Sequence, residues 1–195
     1  MSTWQLPGGE SGKSYIRRRE DGFFARWLAG PVILDVGCGA AGPVLPWAIG
    51  VDKGYPGYDG VTLPFADDSV DAVYSSHMLE HVPDPFAVIR DWHRVVKTGG
   101  FIVCIVPHQF LYEKRAELPS RWNREHQRFY TPAALMCEFE QSLVPNSYRE
   151  RHLADNDRQF NYGLDPGVHS SGYYEIELVV EKCIVRGWSL GLIQA

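Results

Sequence analysis

Apolar runs broken by glycine and proline turns, followed near the end by an alternating stretch, predict an α/β fold for this chain. Val32, Ile33 and Leu34 suit a central parallel strand covered on both faces, which emerges at Asp35. The chain then turns through Gly37-Cys38-Gly39-Ala40-Ala41-Gly42, whose glycines permit positive φ and let the backbone lie directly against a ligand. Pro43 and Pro46 allow only a short helix before a second strand ends at Gly50-Val51-Asp52. Asp59 to Phe65 reads as a turn, and the segment up to Ser76 holds a further strand ending in small polar residues. A later strand ends at Val106-Pro107.

Ser14 to Trp27 reads as a helix with Tyr15, Phe23, Phe24 and Trp27 available to pack on the sheet. Thr131 to Leu143 reads as another, with Thr131 as N-cap and Pro132 at its first position. Tyr148 to Leu153 and Tyr173 to Val185 read as two terminal, antiparallel strands, the second placing Tyr174, Ile176, Leu178 and Val180 on one face. Trp4 to Gly12 is glycine-rich and reads as a flexible arm or lid. The expected organisation is one domain over 1–195: arm and helix at 1–29, core at 30–106, insert and helix at 107–146, and terminal strands at 147–195.

At 195 residues, with 45% hydrophobic and 22% charged residues, the chain can fill the core of one ordinary domain. No apolar run approaches about 20 residues, which excludes a membrane span, and Met1 to Gly12 lacks the apolar stretch of a signal peptide. Cys38, Cys104, Cys137 and Cys183 are scattered, so they read as reduced thiols of a cytoplasmic protein. A net charge of -5 argues against nucleic acid as a partner. Arg17-Arg18-Arg19 is the basic run of the chain; it reads as a solvated helix face or as a dock for a phosphorylated acceptor.

A G-x-G-x-x-G turn marks dinucleotide sites, other nucleoside sites and some ordinary turns, so its surroundings decide. Asp52, at the end of the second strand, is the candidate ribose carboxylate. Three further segments accompany the turn: Leu63-Pro64-Phe65 running to Asp71, Glu80-His81-Val82 running to Pro85, and Val95-Val96-Lys97-Thr98-Gly99-Gly100. With Asp35 to Gly42 they resemble class I S-adenosylmethionine-dependent methyltransferases of the type 11 group, over roughly residues 30 to 140. Val70 stands where that group has phenylalanine, and Thr98 where it has proline.

The resemblance implies a mostly parallel Rossmann-like sheet of about seven strands, the last antiparallel, with helices on both faces. Asp52 and Asp59 lie too close together for the usual second helix and third strand, so the first helix is expected short and the second missing or reduced. It further implies that Asp35, Gly37, Cys38 and Gly39 meet the methionine part of S-adenosylmethionine, that Asp52 and Lys53 lie at the ribose, that Asp59, Gly60 and Leu63 border the adenine, and that Ser75 faces the sulfonium. Tyr55, Pro56 and Tyr58 would supply stacking surface on the thinned adenine side.

His77-Met78-Leu79-Glu80-His81 follows the strand ending at Ser76. If helical, it places His77, Glu80 and His81 on one face, where with His126 they could hold a divalent ion such as manganese, iron, zinc or magnesium. The arrangement is similar to the E-x-x-E-H plus later histidine of small-RNA and ubiquinone-pathway O-methyltransferases, with His77 in place of a glutamate. An aliphatic hydroxyl is a poor nucleophile near neutral pH, and an ion or a neutral histidine can manage its proton. His77, His81, His108 and His126 are therefore the candidate catalytic residues, and an oxygen acceptor is expected.

Gln109 to Tyr130 mixes Phe110, Tyr112, Trp122, Phe129 and Tyr130 with Arg115, Arg121 and Arg124, which suits a sugar or a phosphate-linked sugar. Asp155 to Tyr173 reads as a long loop beside it, where Asp157 and His169 could touch substrate. The whole pattern resembles small methyltransferases of surface-polysaccharide assembly, which implies O-methylation of a small-molecule or glycan-precursor acceptor by a monomer or homodimer. Methylation of a small aromatic or polyketide metabolite, or a non-catalytic partner that retains the fold, are the other readings.

Overall fold

The computed structural model describes residue 6 and residues 8–185 of the chain. Its strands are β1 (Ile33–Val36), β2 (Ile49–Val51), β3 (Val70–Ser76), β4 (Val96–Pro107), β5 (Tyr148–Asn156) and β6 (Glu175–Lys182). They form one sheet in the order β2-β1-β3-β4-β6-β5. The four strands β1 to β4 are parallel, while β6 runs antiparallel to both β4 and β5. Every residue of β1 is buried, the apolar ones as a central strand requires and Asp35 among them.

Helices cover both faces. On one lie α1 (Glu10–Lys13), α2 (Tyr15–Glu20) and α3 (Phe23–Trp27), which pack Tyr15, Phe23, Phe24 and Trp27 against Ile33, Ala72, Tyr74, Val103 and Ile105. On the other lie α4 (Pro85–Val95) and α5 (Pro132–Ser142), which bury Ile89, Trp92, Leu135 and Phe139 against Leu34, Val73, Ile102 and Leu178. Truncating a side chain such as Leu34 to alanine in this core would cost about 2–5 kcal/mol. Both long helices start as their sequences dictate: Asp84 accepts from Ala87 N at 3.0 Å and Thr131 from Ala134 N at 3.2 Å, each with proline in the first turn.

Four expectations need correction. The sheet has six strands, because residues 52–60 are spent on tight turns, such as Tyr55 N to Asp52 O at 2.8 Å, and supply neither a third strand nor a second helix. The shortened first helix is reduced to turns across residues 43–48, between the two prolines and β2. The helix expected over 14–27 is split at Gly22, whose φ of 76° is left-handed. His77 to His81 is not one helical face: only Leu79–His81 forms a 3-10 turn, and His77, at φ 55°, stands outside it. Trp4, in the expected arm, lies outside the described residues.

The basic run divides: Arg19 is exposed, as a solvated helix face requires, whereas Arg17 and Arg18 turn inward. Arg18 is fully buried and pairs with Glu175 at 2.8 Å and Glu177 at 2.7 Å, while Arg17 joins Glu177 and Asp21. These arginines are neither solvated nor offered to an acceptor; they balance two acids that β6 turns into the sheet. No helix among the described residues is long and apolar enough to cross a membrane. The four cysteines are free thiols.

Candidate functional site

Parallel β1 to β4 all end at one edge of the sheet, and β6 begins there, with Pro107 paired to Glu175. Two different places occupy this carboxyl edge. The first is the glycine turn after β1.

Gly37, Gly39 and Gly42 have φ of 81°, 71° and 88°. A Cβ on Gly39 would meet nothing within 4 Å, and neither would one on Gly60, so both stand on open space. Gly37 differs, since a Cβ there would lie 2.5 Å from Met78 Cβ. That contact ties the glycine turn to the segment after β3.

The acids of this seat are held by backbone N–H groups. Asp35 Oδ2 accepts from Val44 N at 2.7 Å, and burial, with Asp52 adding to it, pushes its carboxyl up to about 7. Asp52 accepts from Gly39 N through Oδ2 and from Lys53 N through Oδ1, both at 2.5 Å. Asp59 Oδ1 accepts from Val61 N at 2.9 Å and Thr62 N at 2.6 Å, a turn cap. An ionised carboxylate offers about four acceptor positions, so Asp52 keeps acceptor capacity to spare while it braces the turn. Lys53 is exposed at the rim. Burial pushes the Cys38 thiol up to about 11, which makes it packing for Gly50 and not a nucleophile.

Leu63 is not brought to this face: its side chain is in the core and its N–H donates to Asp91 at 2.7 Å. Ser75 is buried at the end of β3, and its Oγ has no hydrogen-bond partner. Tyr55 stacks on Phe65 at 6.0 Å, so its ring packs on the protein's own wall.

The second place is a cavity of about 210 Å³ lined by Glu10, His77, Glu80, His81, Tyr112, Asn123 and His126. Ligand atoms of Glu80, His81 and His126 lie within 4.8 Å of one another. Glu80 is 1% exposed, and neither of its oxygens has a hydrogen-bond partner. The imidazole nitrogens facing it, His77 Nδ1 and His81 Nε2, are each 3.7 Å from Oε1. A buried carboxylate left so is costly, which makes the group incomplete as a protein-only arrangement.

Glu113 orients His126, with Oε1 2.5 Å from Nδ1, and Ser120 Oγ donates to Glu113 Oε2 at 2.6 Å. A protonated Nδ1 leaves Nε2 as the free ligand atom of His126. The His81 and His126 rings meet edge to face at 4.8 Å.

His77 is not part of this cluster. Its Nε2 lies 3.0 Å from Glu175 Oε1. Burial opposes the charged ring, but this hydrogen bond and the carboxylate's charge raise its pKa above the ordinary value. Glu175 itself would be raised by burial, yet Arg18 and His77 hold it well below the usual carboxylate range.

His108 is elsewhere too. Its Nδ1 accepts from Phe110 N at 3.0 Å and Leu111 N at 3.3 Å, so it caps the π-helical turn Gln109–Glu113, and burial lowers its pKa.

The insert and the long loop are laced into one wall. Lys114 donates to Val168 O at 2.7 Å, Arg121 to Pro166 O at 2.6 Å and Ser170 to Leu111 O at 2.5 Å. Arg121 therefore spends a donor on the loop, and His169 packs edge to face on Trp122 at 5.1 Å. Asp157 accepts from the Tyr162 hydroxyl.

Tyr112, expected in the acceptor wall, does line the cavity, whereas Glu10, Asn123, Glu113 and Glu175 were missed from the sequence. A signal existed for Glu175 alone, since Glu175 and Glu177 alternate with Ile176 and Leu178 on a strand and face the side that Arg17 and Arg18 cover. A larger cleft of about 330 Å³ at the opposite edge, lined by Thr98, Arg149 and Lys182 among others, gathers no comparable set of groups.

Residues 50–104 match a family model described as a methyltransferase domain. An uncharacterized methyltransferase of Mycobacterium leprae is 44% identical over 64 residues, covering 33% of this chain and 23% of that protein. A demethylmenaquinone methyltransferase of Lysinibacillus sphaericus is 39% identical over 72 residues, 37% of this chain and 27% of its own length. The match thus spans about a quarter of these relatives. Among solved structures, a SAM-dependent methyltransferase from Methanosarcina mazei superposes with a TM-score of 0.58 at 16% identity, covering 83% of this chain and 97% of its own. That likeness establishes the fold, and the sequence match over 50–104 is to a methyltransferase domain.

Proposed function

We propose that this chain uses S-adenosylmethionine to methylate a hydroxyl on a sugar or glycan precursor, with Glu80, His81 and His126 holding a divalent ion beside the acceptor. The match over 50–104 and the fold support the cofactor, and the Asp52 carboxylate beside the uncrowded Gly39 backbone suits its charge. S-Adenosylmethionine is a cation without phosphate, so a seat ringed by carboxylates fits it better than an anion cradle would. The sulfonium is a good leaving group, which leaves alignment and one proton as the protein's tasks.

The observation that carries the acceptor reading is the buried Glu80 carboxylate, without hydrogen bonds and faced by His81 and His126. This set of one carboxylate and two imidazoles fits manganese, iron or zinc better than magnesium. Such an ion, when bound, lowers the pKa of a hydroxyl on it. Glu113 keeps His126 in the orientation and tautomer that the role needs. His77, fixed by Glu175, presents Nδ1 towards the same cavity.

The cavity favours a sugar over the quinone ring in the Lysinibacillus relative's name. Each lining residue carries a polar group, and apart from the three imidazoles Tyr112 alone among them offers an aromatic ring.

Calorimetry with S-adenosylhomocysteine and methyl transfer from tritiated cofactor to a panel of sugar nucleotides test the reading. Binding, with label entering a sugar hydroxyl and lost on chelation but restored by manganese or zinc, is expected. A chain that does not bind the product is not a methyltransferase, and label entering quinones or catechols but no sugar would overturn the acceptor.

A further inference from the structure

Glu80 and His81 sit on a single 3-10 turn, Leu79–His81, which is too short to hold its own geometry. Its carbonyls are taken up by two consecutive residues of the insert. Gln127 N donates to Glu80 O at 2.8 Å. The Arg128 guanidinium donates through Nη1 to Leu79 O at 2.9 Å and to Val82 O, and through Nη2 to Pro83 O at 3.2 Å. Glu138 braces the guanidinium from the other side, 3.7 Å from Nε, and also accepts from the Tyr130 hydroxyl at 2.7 Å.

Chain order makes this arrangement informative. His126 supplies a ring to the cavity, Gln127 fixes the backbone of Glu80, and Arg128 gathers three carbonyls around the same turn. One short stretch therefore sets both halves of the Glu80–His81–His126 group relative to each other. A surface ion pair alone would be worth little, but a planar fork bridging carbonyls defines a position as well as a charge.

We propose that Arg128 is a positioning residue that holds Glu80 and His81 against His126, an inference that takes its functional meaning from the reading of these three as the acceptor-side group. Lysine keeps the charge but is a point donor on a flexible stem, so it cannot hold the fork's geometry.

The test compares the wild-type chain with Arg128→Lys, and with Arg128→Met for full removal. Ring-proton NMR reports the geometry without a metal, because the edge-to-face contact of His81 and His126 shifts their signals. Cobalt(II), titrated by its visible absorption, reports the ligand set, and calorimetry with S-adenosylhomocysteine reports the other seat. In Arg128→Lys the ring-current shifts should collapse and cobalt affinity should fall at least tenfold, with product affinity unchanged within twofold and a cooperative melt retained.

A folded Arg128→Lys protein that keeps the wild-type ring shifts overturns the proposal. A wild type that binds no cobalt while Arg128→Lys still loses the shifts upholds the positioning role, and overturns the divalent-ion reading instead. Should Arg128→Met fail to fold, the lysine variant alone decides.

Discussion

At the glycine turn the acids have their hydrogen bonds: Asp35 holds Val44, Asp52 holds Gly39 and Lys53, and Asp59 holds Val61 and Thr62. A few residues along the same edge, Glu80 is buried with no hydrogen bond to either oxygen. Both regions are rich in carboxylates, yet one is complete as folded and the other is not. The difference teaches where to look for chemistry. Satisfied acids shape a seat that a ligand enters with little rearrangement, whereas an unsatisfied acid among imidazoles marks a place whose partner comes from outside.

The harshest way to break this comparison is at the hinge between the two regions. Gly37→Ala combines a left-handed φ with a clash against Met78, and should cost about 3–5 kcal/mol, seen in denaturant unfolding, together with loss of product binding. Gly39→Ala, with the same sign of φ but open space around it, should cost only about 1–2 kcal/mol of stability. Equal losses would mean that the Met78 contact does not matter.

Asp35 offers a pH test of the completed seat. Its folded pKa, about 7, lies above the ordinary value of 3.8, so the fold favours the protonated form. Its contribution is full below about pH 4 and is lost as pH rises through 7, a change on the order of a few kcal/mol. The stability difference between wild type and Asp35→Asn should fall across that window; a difference that is flat with pH would place the carboxyl near its ordinary value.

Asp52→Ala should weaken S-adenosylhomocysteine binding by about 10- to 100-fold, equivalent to about 1.4–2.7 kcal/mol, in calorimetry. Unchanged affinity would remove the ribose role. The gentlest prediction is Glu80→Gln, which keeps the side chain's shape where neither oxygen makes a hydrogen bond and His77 and His81 stand at 3.7 Å; it should shift stability by no more than about 1 kcal/mol while abolishing methyl transfer. A destabilised variant would show that Glu80 serves the fold.

Local signals made much of the fold legible. Thr131-Pro132 marks a helix start through a cap that acts within three residues, and the alternation of β6 reads straight from its side chains. Counting strands failed because the family pattern supplied about seven while residues 52–60 have room only for turns. In the candidate cavity, Glu80, His81 and His126 were readable as residue types in a spaced pattern. Glu113 and Glu175 were not, since their roles come from contacts across 13 and 98 residues of sequence. His108 looked free and is a cap, because nothing in a lone histidine reveals that its Nδ1 will meet two backbone N–H groups.

The burial of Arg18 sets the true extent of the folding unit. A shortened protein beginning near residue 30, where the sheet starts, would leave Glu175 and Glu177 charged inside β6 without their guanidinium, and breaking such a pair costs about 3–5 kcal/mol. Glu175 also holds His77, so trimming the amino end would disturb the cavity through a contact between residues 157 apart in the chain, besides removing Glu10 from its lining. The first helices are therefore a structural keel, and any truncated version would need those two acids neutralised to keep its shape.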